Sequence, residues 1–241
     1  MNQKVDHLIS QQVKEHLISD FKLNASKINV INNGIDTKNF GDFSARDNMR
    51  RKLGSSADFL VGIIARLSSV KGHIYLIQAM PEVIKNFPNT KLLIIGCGKT
   101  KDALIKETQD LGLEGSILFI PEAKNTKDWL AAMDIFVMPS LQEGLGLALM
   151  EAMAQGVVVV GSAVGGIKTL IQDKVNGLLV ESANATALAQ AIIVLLGDSR
   201  LRRALGARAR EFIIANFSQE EMVAKTEKVY QQSLSSNRPG V

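Results

Sequence analysis

Short runs of consecutive apolar residues alternate along the chain with longer stretches in which apolar residues recur every three or four positions. The runs INVI (28–31), FLVGIIA (59–65), KLLIIG (91–96), SILFI (116–120), DIFVMP (134–139), VVVVG (157–161) and GLLV (177–180) are rich in β-branched residues and predict strands. Helical spacing marks the segments between them, at about 71–86, 101–112, 126–133, 147–155 and 184–197. Two more helices are expected at about 199–216 and 218–234, before a frayed tail SLSSNRPGV. Strands apolar on both faces and separated by helices predict an α/β fold. Its Rossmann-like parallel sheet, over roughly residues 34–200, is covered by helices on both faces, with the last two helices appended. No internal repeat is present.

Composition narrows the class without changing that picture. With 241 residues, 46% hydrophobic and 22% charged, the chain is long enough for a large core and too apolar for disorder. A net charge of +4 favours anionic ligands slightly, but the 28 basic residues form no block of five, so no nucleic-acid partner is expected. Cys97 is the only cysteine, and the start MNQKVDHLISQQ lacks the apolar stretch of a signal peptide, so a cytoplasmic location is expected. No apolar run reaches the ~20 residues of a membrane span. At most the protein sits peripherally on the inner membrane face.

In an open α/β sheet, ligands bind beyond the carboxyl ends of the strands, so chemistry is sought there. RLSSVKG follows the strand FLVGIIA and brings Arg66 and Lys71 to that rim; singly, either reads as a solvated surface charge. GCGKT follows KLLII in the setting of a phosphate loop, but Leu93 stands where such a loop needs glycine, and Lys101 where a dinucleotide fingerprint needs its third. Gly96 and Gly98 therefore mark a close backbone turn, either against a ligand or simply into a helix. After DIFVMP comes SLQEGLGLALMEAMAQG. Gly144 and Gly146 let an extended loop turn into a helix starting at Leu147, with free N–H groups and the positive helix end at the rim, suited to a phosphate or sugar oxygen. Glu143 precedes that helix and Glu151 lies one turn inside it, on the face of Leu147 and directed back toward Glu143. A carboxylate accepting two hydrogen bonds side by side matches a vicinal diol, whereas a capping or surface glutamate is the plain alternative. The helix is apolar nearly all round, and an unpaired buried carboxylate there is costly.

These segments, in this order, resemble the C-terminal, donor-binding half of a GT-B glycosyltransferase of the retaining family 4, the "glycosyl transferases group 1". The resemblance runs from INNGIDTKNF (31–40) through IIARLSSVKG, LLIIGCG, the E-x7-E segment, GSAVGGIKTLI and NGLLV to FSQEEMVAKTEKVY. It implies that Arg66 and Lys71 neutralise a nucleotide diphosphate as the glycosidic bond breaks, in place of a metal. It further implies that Glu151 binds ribose hydroxyls, and that Glu143 with the amides of Gly144, Leu145 and Gly146, at the Leu147 helix start, holds the donor hexose and its phosphate. No metal and no cofactor is expected: Asp-x-Asp is absent, and the histidines are scattered at 7, 16 and 73. Two departures from the family pattern, Val158 for proline and Pro121 for glycine, are expected on the donor side.

The resemblance also implies a preceding acceptor-binding domain. VDHLISQQVKEHLISDF resembles that domain's last strand and helix, with Val13, Leu17 and Phe21 on one apolar face. The organisation expected is a remnant and linker in 1–33, a nucleotide-sugar-binding domain in 34–216, and a crossover helix and tail in 217–241. The acceptor domain is expected either in another chain or in a missing part of this one. Uncovered ends predict self-association. Two functions follow, a metal-independent transferase of a hexose from a nucleotide-diphosphate sugar, and a module that binds the sugar nucleotide without transfer. Epimerases and phosphorylases of the same fold are a third.

Overall fold

The computed structural model describes residues 6–8, 11–25, 28–53, 59–122 and 125–236. The side chain of Val13 and the tail from 237 onward, both invoked above, lie outside the described residues. Six strands form one fully parallel sheet: β3 (Phe59–Ile64), β4 (Thr90–Ile95), β5 (Ile117–Ile120), β6 (Ile135–Met138), β7 (Val158–Ser162) and β8 (Leu178–Val180). Their order is β5-β4-β3-β6-β7-β8. The chain winds outward from β3 to β5, returns to β6 beside β3, and winds outward again to β8. The carboxyl ends of β3 and β6 therefore flank the point where the winding reverses, the place where such sheets hold ligands.

The continuous apolar runs are explained by the two faces. Val61, Ile63, Leu92, Ile94, Ile135, Val137, Val158 and Val160 point into one core, while Leu60, Leu93, Ile95, Phe136, Met138 and Val159 point into the other. Alternation is present, but both sides are dry. The first core is closed by α3 (His73–Asn86), α4 (Lys101–Asp110) and α8 (Ala185–Gly197), the second by α5 (Thr126–Ala132), α6 (Leu147–Gln155), the single turn α7 (Ile167–Leu170) and α9 (Ser199–Asn216).

Ahead of this sheet, β1 (Asp6–Leu8) and β2 (Ile28–Val30) pair in parallel around α1 (Gln11–Phe21), so the INVI run lies in a separate two-stranded sheet. Phe21 is 64% exposed. Helix α2 (Arg46–Lys52) has only one apolar residue, Met49, and carries no periodic signal. It is docked by charge: Arg46 and Arg50 both ion-pair with Asp134, and Arg50 also donates to the Ala132 carbonyl at 3.0 Å.

The last helix, α10 (Gln219–Ser236), is tied to the start of the domain. Ile35 N–H donates to the Phe217 carbonyl at 3.0 Å, and Gln219 N–H to the Ile35 carbonyl at 2.9 Å. Gly34 lies so close that a Cβ would come within 2.4 Å of the Ser218 oxygen. Along α10, Val229 is buried while Tyr230 and Leu234 are exposed. Among the described residues, no helix is long and apolar enough to cross a membrane.

Candidate functional site

The segments after β3 and β6 are bound to each other where the winding reverses. Leu141 N–H donates to the Val70 carbonyl at 2.8 Å, and Gly72, at φ +68°, packs its Cα against the Pro139 oxygen, which a Cβ would meet at 1.9 Å. The loop from Pro139 to Gly146 is held from its other side as well. Gly166 N–H donates to the Glu143 carbonyl at 3.0 Å, and a Cβ on Gly166 would lie 2.0 Å from the Gly144 oxygen. Gly146, at φ +84°, turns this loop into α6 and leaves the helix start without a side-chain cap. First-turn N–H groups and the positive helix end face the rim, as the sequence predicts.

On this frame Lys71 Nζ meets Glu143 Oε2 at 2.5 Å, across 72 positions of sequence, and Ser140 Oγ reaches the same oxygen at 3.3 Å. Both charges are sheltered, with side-chain exposures of 21% for Lys71 and 10% for Glu143. Arg66 is exposed and has no hydrogen-bond or ion-pair partner among the described residues. Leu145 is buried in the second core, whereas Leu147 stands 50% exposed at the helix start.

Glu151 sits in the second turn of α6. It lies with Thr126, at the start of α5, and with Asp36 and Asn39 along a cleft of about 500 Å³. Burial pushes its carboxyl above the usual carboxylate range, and a hydrogen bond with Thr126 opposes that shift. Lys71 thus holds Glu143 beside the β3 end, while Glu151 lines the cleft formed with Thr126 and the segment around residues 35–40.

Gly96 (φ +144°) and Gly98 (φ +155°) owe their identity to this chain's own backbone. A Cβ on either would come within 2.1 Å of the Ala65 or Leu67 oxygen, and Leu67 N–H donates to the Cys97 carbonyl at 2.8 Å. These two glycines let the β4 end brace the segment that carries Arg66. Val158 is also corrected: it opens β7 at the amino edge of the sheet, away from the carboxyl rim, whereas Pro121 follows β5 on the rim side.

Three participants carried no local signal. Thr126 and Ser140 enter only through contacts with the glutamates. His73 is 2% exposed at the start of α3, and neither ring nitrogen has a partner among the described residues. Burial and, after it, the Lys71 charge lower its pKa to about 4, so it is neutral at ordinary pH.

Comparison with known proteins places the chain in a family. The sequence profile described as "Glycosyl transferases group 1" matches residues 45–212. An uncharacterized glycosyltransferase of Methanocaldococcus jannaschii is 31% identical over 228 residues, covering 92% of this chain and 58% of the relative. A D-inositol 3-phosphate glycosyltransferase of Xylanimonas cellulosilytica is 31% identical over 238 residues, covering 93% of this chain and 56% of the relative. Anabaena Alr3699/HepE, solved in complex with UDP, superposes with a TM-score of 0.89 at 24% identity, over 95% of this chain and 64% of that one. This chain therefore spans a little over half the length of these curated relatives, and its fold is that of a GT-B half. With the profile matching more than half of the sequence and relatives aligned along nearly all of it, the chain belongs to the group 1 glycosyl transferases.

Proposed function

We propose that the chain is the donor-binding half of a retaining, metal-independent glycosyltransferase that takes a hexose from a nucleotide-diphosphate sugar. The observation that carries this reading is the convergence, where the sheet winding reverses, of Arg66, Lys71 and the uncapped start of α6. Two cations and a ring of N–H groups neutralise a departing diphosphate from fixed positions, the role a metal fills elsewhere. Glu151, in its cleft with Thr126, accepts hydrogen bonds from ribose hydroxyls, and Glu143 from hydroxyls of the hexose. Family membership and the UDP found in the similar Anabaena structure support a nucleoside diphosphate as the leaving group. The acceptor is held by a further domain, in keeping with the length of the relatives, and this chain alone transfers little or no sugar. Calorimetric titration with UDP, GDP and ADP, each alone and as its glucose conjugate, tests the reading. Binding of one base series, unchanged by EDTA, is expected; affinity that disappears on adding EDTA refutes metal independence, and no binding at all refutes the donor site.

A further inference from the structure

We infer that Glu143 is an internal competitor for the diphosphate, and that it discriminates the sugar-nucleotide donor from the nucleoside diphosphate left after transfer. The inference rests on the donor-site reading above. Lys71 is not an idle cation: its Nζ already lies 2.5 Å from Glu143 Oε2, in a sheltered pair whose attraction is little screened. Arg66, by contrast, is exposed and without a partner among the described residues. An arriving diphosphate thus meets one available cation and one engaged with a carboxylate of its own sign.

The backbone offers no relief. The Glu143 carbonyl is held by Gly166 N–H, the Gly144 oxygen abuts Gly166, and Val70 is held by Leu141, so both chain segments stay in place and only the two side chains can part. When they part, Glu143 keeps, among the described residues, one weak side-chain contact, Ser140 Oγ at 3.3 Å, and a sheltered carboxylate stripped of its cation is costly. A hexose on the diphosphate remedies this, because its hydroxyls donate to the released carboxylate. A bare nucleoside diphosphate brings no hydroxyl to that place. Glu143 then reclaims Lys71, which weakens the hold on the product and favours its departure.

The test uses the full 241-residue chain, titrated with UDP, GDP and ADP and with their glucose conjugates, in wild type, Glu143→Gln and Arg66→Ala. Glu143→Gln frees Lys71, so the nucleoside diphosphate is expected to bind about 3–30-fold tighter, while the glucose conjugate gains nothing or weakens. In a Lys71→Met background, Glu143→Gln should leave nucleoside diphosphate affinity unchanged. Glu143→Ala replaces Glu143→Gln if circular dichroism shows the latter unfolded, with the same outcome expected. Nucleoside diphosphate affinity that is equal or weaker in the folded Glu143 variant overturns the inference alone, provided Arg66→Ala weakens wild-type binding. Binding that is absent in wild type, or untouched by Arg66→Ala, overturns the donor site and this inference with it.

Discussion

The two edges of the central sheet differ in how far their buried polar groups are matched. At the amino edge cations are matched to acceptors. Arg46 donates to the Ala131 and Met133 carbonyls, each at 2.9 Å, and Arg202 donates to those of Leu195 and Leu196 at 2.5 and 2.7 Å. Arg210 donates to the Ala154 carbonyl. These carbonyls lie at the carboxyl ends of α5, α8 and α6, where unpaired acceptors and the negative end of the helix dipole collect. Asp134 completes the edge by taking Arg46, Arg50 and the Leu60 N–H at 2.8 Å. At the carboxyl edge, Ser68 Oγ, both His73 nitrogens, Thr100 Oγ1 and Ser162 Oγ are buried without a partner among the described residues, and Glu151 is desolvated, whereas the amino edge has one such group, Thr90 Oγ1 at the start of β4. One edge is built for stability. The other keeps polar capacity in reserve, the usual trade at a binding site.

The largest test of this contrast is Asp134→Ala. It removes the carboxylate that Arg46 and Arg50 share, itself only 11% exposed, and should cost about 3–5 kcal/mol in urea denaturation. The folded fraction should still bind nucleotide with wild-type affinity, since the lesion lies at the opposite edge; a parallel loss of affinity would erase the distinction.

His73 comes next. Its folded pKa of about 4 lies below the ordinary 6.5, so the unfolded chain takes up the proton first. Stability is complete above pH 6.5 and falls as pH drops toward 4, by up to about 3 kcal/mol. His73→Leu should remove that part of the acid slope and change stability little at pH 8, as thermal melts across pH will show.

A smaller effect is expected from Glu151→Ala, which should weaken nucleoside diphosphate binding by about 1–3 kcal/mol, while a 2',3'-dideoxy nucleotide binds variant and wild type alike. The smallest concerns the same residue without ligand. Its raised carboxyl pKa means that stability is lost as pH rises from the ordinary 4.5 through the folded value. Glu151→Gln should therefore raise the Tm at pH 7–8, by less than the about 2–4 °C that 1 kcal/mol gives in a chain this size, because the carboxylate is partly solvated. At pH below 4.5 the gain should vanish.

What could be read from sequence follows from which forces act locally. The six sheet strands and the long helices fall within a residue or two of expectation, because each is a continuous apolar run or a clear period of three and four. Helix α2 was illegible, since RDNMRRK is positioned by Asp134, some 84 residues from Arg50. The same holds for the site. GLG before ALMEAMA marks the start of α6 without any partner, but the pairing of Lys71 with Glu143, and the turn of Glu151 toward Thr126, depend on which strands become neighbours. Spacing alone placed both glutamates beyond β6, but their partners come from segments after β3 and β5, which only the sheet order brings near.

The bridge at Ile35 has a mechanical consequence. The chain enters and leaves the domain side by side there, joined by two backbone hydrogen bonds of 3.0 and 2.9 Å. Everything between is a closed loop hung from that clamp. Tension applied across the two ends loads the bridge first, and the force reaches the six-stranded sheet only after the clamp has opened.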